Sequence, residues 1–179
     1  MAHESINAQQ IFYHWKDICK SKNKELYNNW DERSTYTSIV MYYDNSILKQ
    51  LSDNLGLRFY CEYYSIDAVL YKDEDLVIIR PDLSTWLQRI RIAFEHEHDI
   101  TTTYQEVSHL LITSCDLRVL VTYPDSDDKI YLKNYREMVR SSKDYKFNSF
   151  LIIFGRQSDN DIIDWVAYEF KNDDWITLF

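Results

Sequence analysis

Asp67 lies in the run Ile66-Asp67-Ala68-Val69-Leu70, and Glu95 and Glu97 flank a histidine in Ala93-Phe94-Glu95-His96-Glu97. Side chains at i and i+2 of a strand share a face. If the second run is a strand, Glu95 and Glu97 point the same way, and a neighbouring strand can bring Asp67 beside them. Three acids gathered in a partly buried place repel one another, so they either take up protons or hold a cation. An all-oxygen set suits a hard divalent ion such as Mg²⁺ or Mn²⁺. Such an ion activates water and offsets charge on a phosphodiester under attack. The competing reading is a set of solvent-facing acids at a sheet edge. The helix and the very apolar strand that follow Glu97 favour a central position.

The elements that must place these acids are legible as periodicities. Ile11, Trp15, Ile18 and Cys19 recur at helical spacing within 5–20, and Lys20 to Glu25 reads as a polar connection. From about Thr35 to Leu55, apolar residues at Tyr36, Val40, Tyr43, Ile47 and Leu51 predict one helix, with Gly56 as its stop. Segments 57–64, 65–72 and 76–80 read as strands, with Asp73-Glu74-Asp75 as a turn, and 89–97 reads as a fourth. Thr101 or Thr102 can cap a helix carrying Tyr104, Val107, Leu110 and Leu111, and Leu117–Tyr123 is a buried strand. A helix over 129–141 and strands at 150–154 and 164–170 complete the order α-α-β-β-β-β-α-β-α-β-β, a mixed α/β arrangement of layers.

The bulk properties fit one domain. The chain has 179 residues, 45% hydrophobic and 16% aromatic, with only two prolines and two glycines, which argues against flexible linkers. Three well-separated cysteines, Cys19, Cys61 and Cys115, suggest reduced thiols and a cytoplasmic setting. No secretory signal and no membrane span are expected. The formal net charge of −9 works against wrapping a duplex, because phosphates must be neutralised. Any nucleic-acid contact must use a local patch, a metal ion or a partner protein. Arg89 and Arg91 with Lys72 and Arg80 form the best basic patch near the acids; the plainer reading is a solvated strand edge.

The acids and the order of elements around them resemble the PD-(D/E)xK, or restriction-endonuclease-like, superfamily. The resemblance spans roughly residues 36–123: a helix, a strand meander with Asp67, a strand with Glu95-His96-Glu97, a helix and a strand. It implies an αβββαβ core, a mixed central sheet flanked by helices, within a single domain over 1–179. That domain divides into an N-terminal helical extension (1–34), the core (35–123) and a C-terminal helix and strands (124–179). It also implies that Asp67 and Glu95 hold the metal, with the carbonyl of His96 as a further ligand. An acid from an earlier element often joins, for which Glu62 is the candidate. The third motif position, usually Lys, is Glu97 here, as in some other members. In other members the lysine moves to the following helix. Here that helix reads Gln105-Glu106-Val107-Ser108-His109, so Glu106 or His109 would orient water or phosphate.

The same residues admit other readings. His96 and His98 share the face opposite Glu95 and Glu97, and with His109 they make a zinc set conceivable. Because His96 continues the apolar face of Ile90, Ile92 and Phe94, a packed histidine is preferred. The fifteen tyrosines can stack bases, but most fall at core spacing. No glycine-rich phosphate loop or nucleophile-elbow motif is present. Two functions are therefore expected in order: a Mg²⁺- or Mn²⁺-dependent nuclease-like enzyme, then a catalytically inactive interaction module on the same fold. The second would bind a protein partner or form a homodimer through exposed aromatics.

Overall fold

The computed structural model describes residues 6–77, 86–142 and 149–179. Asn7 starts α1 (Ala8–Ser21) by accepting the Gln9 N–H at 2.9 Å, and α1 buries Ile11, Phe12, Trp15, Ile18 and Cys19. Next come α2 (Asn23–Asn28), α3 (Arg33–Thr37), a π-helical turn (Ser38–Tyr42) and α4 (Ile47–Asn54). The expected polar connection at Lys20–Glu25 is instead a one-residue break at Lys22. The chain re-enters a helix there because Leu26 can be fully buried.

The single helix expected from Thr35 to Leu55 is also divided. Tyr43 is extended (φ −66°, ψ 151°), and its N–H reaches back to the Ser38 carbonyl. The turn-forming Asp44-Asn45 follows, and the Ser46 side chain accepts the Lys49 N–H to start α4. The predicted stop is where the glycine stands. Gly56 takes φ +63°, its N–H bonds the Asp53 carbonyl, and the Leu57 N–H bonds that of Ser52.

The apolar runs pair into one seven-stranded sheet whose strands lie in chain order. β1 (Arg58–Tyr63), β2 (Ile66–Tyr71) and β3 (Ile92–Glu97) form an antiparallel meander. β4 (Leu117–Thr122) and β5 (Phe150–Ser158) continue parallel to β3. β6 (Ile162–Lys171) and β7 (Asp174–Leu178) return antiparallel. Parallel neighbours need crossovers: α5 (Thr103–Ile112) joins β3 to β4, and α6 (Asp128–Ser141) joins β4 to β5.

Several strand boundaries differ from expectation: β5 runs on to Ser158 and β6 covers Ile162–Lys171, longer than the runs 150–154 and 164–170. β3 begins at Ile92, because Arg89 and Arg91 are drawn into ion pairs before it. Of the strand expected at 76–80, Leu76 makes an isolated bridge to Leu87, while 78–80 lie outside the described residues. β7 was not expected. Its signal is the Asn172-Asp173 pair, both left-handed (φ +53° and +68°), which turns a hairpin.

The sheet separates two cores. One face packs on α1, α4 and their connections through Ala68, Leu70, Ile92, Phe94, Val119 and Val121. The other packs on α5 and α6 through Val69, Ala93, Leu120, Ile152 and Phe154. β3 is therefore covered on both sides, as the apolar sequence after it suggested.

Candidate metal centre

Strand pairing brings the three acids together. β2 and β3 are in register through Ala68↔Phe94 and Val69↔Ala93, which sets Asp67 beside Glu95. The Asp67 N–H donates to Glu95 Oε2 at 3.1 Å, and Asp67 Oδ2 accepts the His96 N–H at 2.8 Å. The Glu95 carboxylate is thus held by the Asp67 backbone, and that of Asp67 by the His96 backbone. Glu97 lies on the same face one pleat further on. It is half-buried, and its Oε1 accepts the Asp99 N–H at 2.7 Å, which turns it toward the loop leaving β3.

α5 lies over this face and adds two more groups. Glu106 and His109, one turn apart, both turn inward. His109 Nδ1 is 3.2 Å from Glu106 Oε2 and 3.8 Å from Glu95 Oε1. One donor atom each from Glu95, Glu106 and His109 falls within 4.8 Å of the other two. Thr102, at the position before α5, makes no capping bond from its side chain; its Oγ1 donates to the Asp99 carbonyl. α5 is instead fixed at its far end. The buried Arg118 of β4 donates from Nε to the Leu110 carbonyl and from Nη2 to the Thr113 carbonyl, both at 2.7 Å. Nothing in the spacing of Leu-Arg-Val-Leu-Val announced that clamp.

Electrostatics mark Glu95 as the centre. It is 1% exposed, and its Oε1 has no hydrogen-bond partner among the described residues. Burial, then the charge of Asp67, pushes its carboxyl up to about 10. Asp67 is also raised by burial, though the His96 N–H and a hydrogen bond with Glu95 hold it down. Glu106 is raised by burial as well, against the pull of His109. Thr122, across the ladder from Glu97, has a buried hydroxyl that is likewise without a partner among the described residues.

Glu62 stands across from Asp67, between the pairs Cys61↔Ala68 and Tyr63↔Ile66. Its backbone is left-handed (φ +56°), and its exposed carboxylate accepts the Tyr42 hydroxyl. It contributes charge near Asp67 but is turned toward Tyr42. The His96 side chain faces the opposite core, where Nε2 lies 2.9 Å from the Tyr123 hydroxyl and the ring stacks on Tyr36. Only its backbone belongs to the acid face. His98 packs among Trp30, Tyr36 and Tyr123 on that same opposite side. A zinc set combining His96 and His98 with His109 is therefore ruled out, because the sheet lies between them.

The basic patch is corrected too. Arg91 is buried and bonds Asp75 through Nε and Nη2, both at 2.7 Å, and Arg89 pairs with Asp116 at 2.8 Å. Arg80 lies outside the described residues. Arg91 is four residues before Glu95, about 13 Å along the strand. These guanidinium groups are neutralised locally.

A scan of family models and searches of curated proteins and of solved structures returned no match to this chain.

Proposed function

We propose that this chain is a metal-dependent, nuclease-like protein that hydrolyses phosphodiester bonds. The carrying observation is Glu95: a buried carboxyl with one oxygen unpartnered among the described residues, set between Asp67 and the Glu106–His109 pair. Leaving such a group unmatched costs about 1–3 kcal/mol, and a bound cation would offset that cost. Support also comes from topology. An antiparallel meander with Asp67 on its second strand, Glu95-His96-Glu97 on its third, then a helix and a parallel strand, is the order expected of the restriction-endonuclease-like core.

In this reading Asp67 and Glu95 hold a divalent ion, Mg²⁺ or Mn²⁺, with the His96 carbonyl and Glu97 at the margin. Such an ion supplies Lewis acidity and charge neutralisation at a phosphodiester. Glu106 and His109 face the same space and orient water or the scissile phosphate. Asp67, anchored by the His96 N–H, fixes the distance between β2 and β3 on which the arrangement depends. The test is cleavage of DNA and RNA with Mg²⁺ or Mn²⁺ added. Cleavage that persists unchanged in Glu95→Ala overturns the reading.

A second reading, a catalytically inactive interaction module, is favoured by one observation. Arg89 and Arg91 are consumed by acidic neighbours, while Tyr42, bonded to Glu62, and Tyr43, Tyr60 and Tyr64 stay exposed, Tyr64 at 90%. That surface suits a protein partner or a second copy better than a phosphate backbone. Among the described residues no helix is long and apolar enough to cross a membrane.

A further inference from the structure

We propose that Glu95, Glu106 and His109 form a mixed nitrogen–oxygen site that takes a first-row transition divalent ion and selects Mn²⁺ over Mg²⁺. This rests on reading the acid face as a cation site; it moves Glu106 and His109 from orienting groups to ligands beside Glu95, and it names the cation.

The geometry is close to that of one coordination sphere. Donor atoms each about 2.1 Å from a common ion lie at most about 4.2 Å apart. The His109 Nδ1 distances of 3.2 Å to Glu106 and 3.8 Å to Glu95 are within that limit. The whole triad, inside 4.8 Å, needs side-chain adjustments of a few tenths of an ångström. Glu106 and His109 leave the same face of α5, and Glu95 comes from the strand beneath. The ligands therefore converge from two elements.

The observation that makes this more than an acid cluster is the Oε1 atom of Glu95. It is buried, has no hydrogen-bond partner among the described residues, and lies 3.8 Å from His109 Nδ1. The donor chemistry then decides the ion. Mg²⁺ takes oxygen ligands and keeps its waters, whereas an imidazole nitrogen among carboxylates is better matched to first-row transition ions. Lysine, the usual companion of such acids in the resemblance described above, adds a charge but no ligand. His109 adds a ligand.

The experiment uses the full chain, freed of metal with a chelator. Calorimetric titration with Mn²⁺ and with Mg²⁺ gives the affinity ratio, and pulsed electron paramagnetic resonance of the Mn²⁺-loaded protein detects coupling to an imidazole nitrogen. The expected result is Mn²⁺ binding at least about tenfold tighter than Mg²⁺, with nitrogen coupling present. His109→Gln, verified as folded by its thermal transition, should lose the coupling and bring the ratio toward one. Mn²⁺ bound without nitrogen coupling, or a ratio that His109→Gln leaves unchanged, overturns the proposal. If Glu95-dependent cleavage is still seen in that case, the hydrolase reading stands. Nitrogen coupling without any cleavage supports the site while removing the hydrolase. Failure of both ions to bind at millimolar concentration overturns both.

Discussion

β3 presents two buried faces with opposite chemistry. Glu95 looks toward α5, with Glu97 on the same face turned to the loop, while His96, and His98 just past the strand, look toward Trp30, Tyr36 and Tyr123. Burial acts on both faces by disfavouring charge, so it moves the two kinds of group in opposite directions. Glu95 is pushed up to about 10 and His96 down to about 3, with desolvation the largest cause in each. The surroundings differ more than the shifts do. The histidines sit among rings, with Tyr123 bonded to His96, where a neutral imidazole is at ease. The acids sit among other acids and one imidazole, where burial and then repulsion impose neutrality and a cation would offset both. A perturbed titration therefore does not by itself distinguish a packed residue from a ligand; the neighbours do.

The largest effect that would break this contrast is expected from Glu95→Gln. It should weaken Mn²⁺ binding by about 100-fold or more, measured by calorimetry. It should also stabilise the metal-free protein by on the order of 1–3 kcal/mol at pH 7 in denaturant melts, because a group held neutral at a cost becomes neutral by nature. A loss of stability here would mean that Glu95 is a structural acid.

The pH dependence of the metal-free protein sharpens the comparison. Glu95 is raised in the folded state, so the native protein binds more protons than the unfolded chain between the ordinary glutamate range and about 10. Stability should fall as pH rises through that window. His96 is lowered in the folded state, so the unfolded chain binds more protons below the ordinary histidine range. Its contribution falls as pH drops from about 6.5 toward 3, opposing that of Glu95 where the two windows overlap and prevailing below the ordinary glutamate range. Glu95→Gln should remove the Glu95 slope between the ordinary glutamate range and about 10 and leave the His96 slope in a melting-temperature profile. Mn²⁺ affinity should rise with pH, by at most about tenfold per pH unit, as Glu95 gives up its proton.

A smaller effect is expected from His96→Phe. It should cost about 1–2 kcal/mol through the orphaned Tyr123 hydroxyl and leave Mn²⁺ affinity within about twofold of wild type. A large loss of binding would show that the two faces are coupled. The smallest effect is expected from Glu97→Gln, a change of only a few-fold in affinity by calorimetry. Its carboxylate is already engaged by the Asp99 N–H, and a glutamine oxygen can accept the same bond.

The strand positions of Asp67, Glu95 and Glu97 were legible because alternation and strand adjacency are local properties. The opposite facing of His96 followed from the same rule. What escaped were features set by tertiary neighbours. The break at Tyr43 depends on a π-helical turn that helical spacing cannot reveal. The fate of Arg89 and Arg91 depends on Asp116 and Asp75, which lie far along the chain or beyond a turn. Glu106 and His109 were visible as a pair one turn apart on α5. Their approach to Glu95, which makes His109 a candidate ligand, depends on how α5 lies over β3.

That lie is governed by Arg118. A guanidinium fastened to the carbonyls of Leu110 and Thr113 stops α5 from sliding along its own axis. If an ion binds as proposed, a mismatch in its radius would be absorbed by rotamer adjustments of two side chains, not by translation of the helix, and such stiffness would turn a small difference in size between ions into a difference in strain.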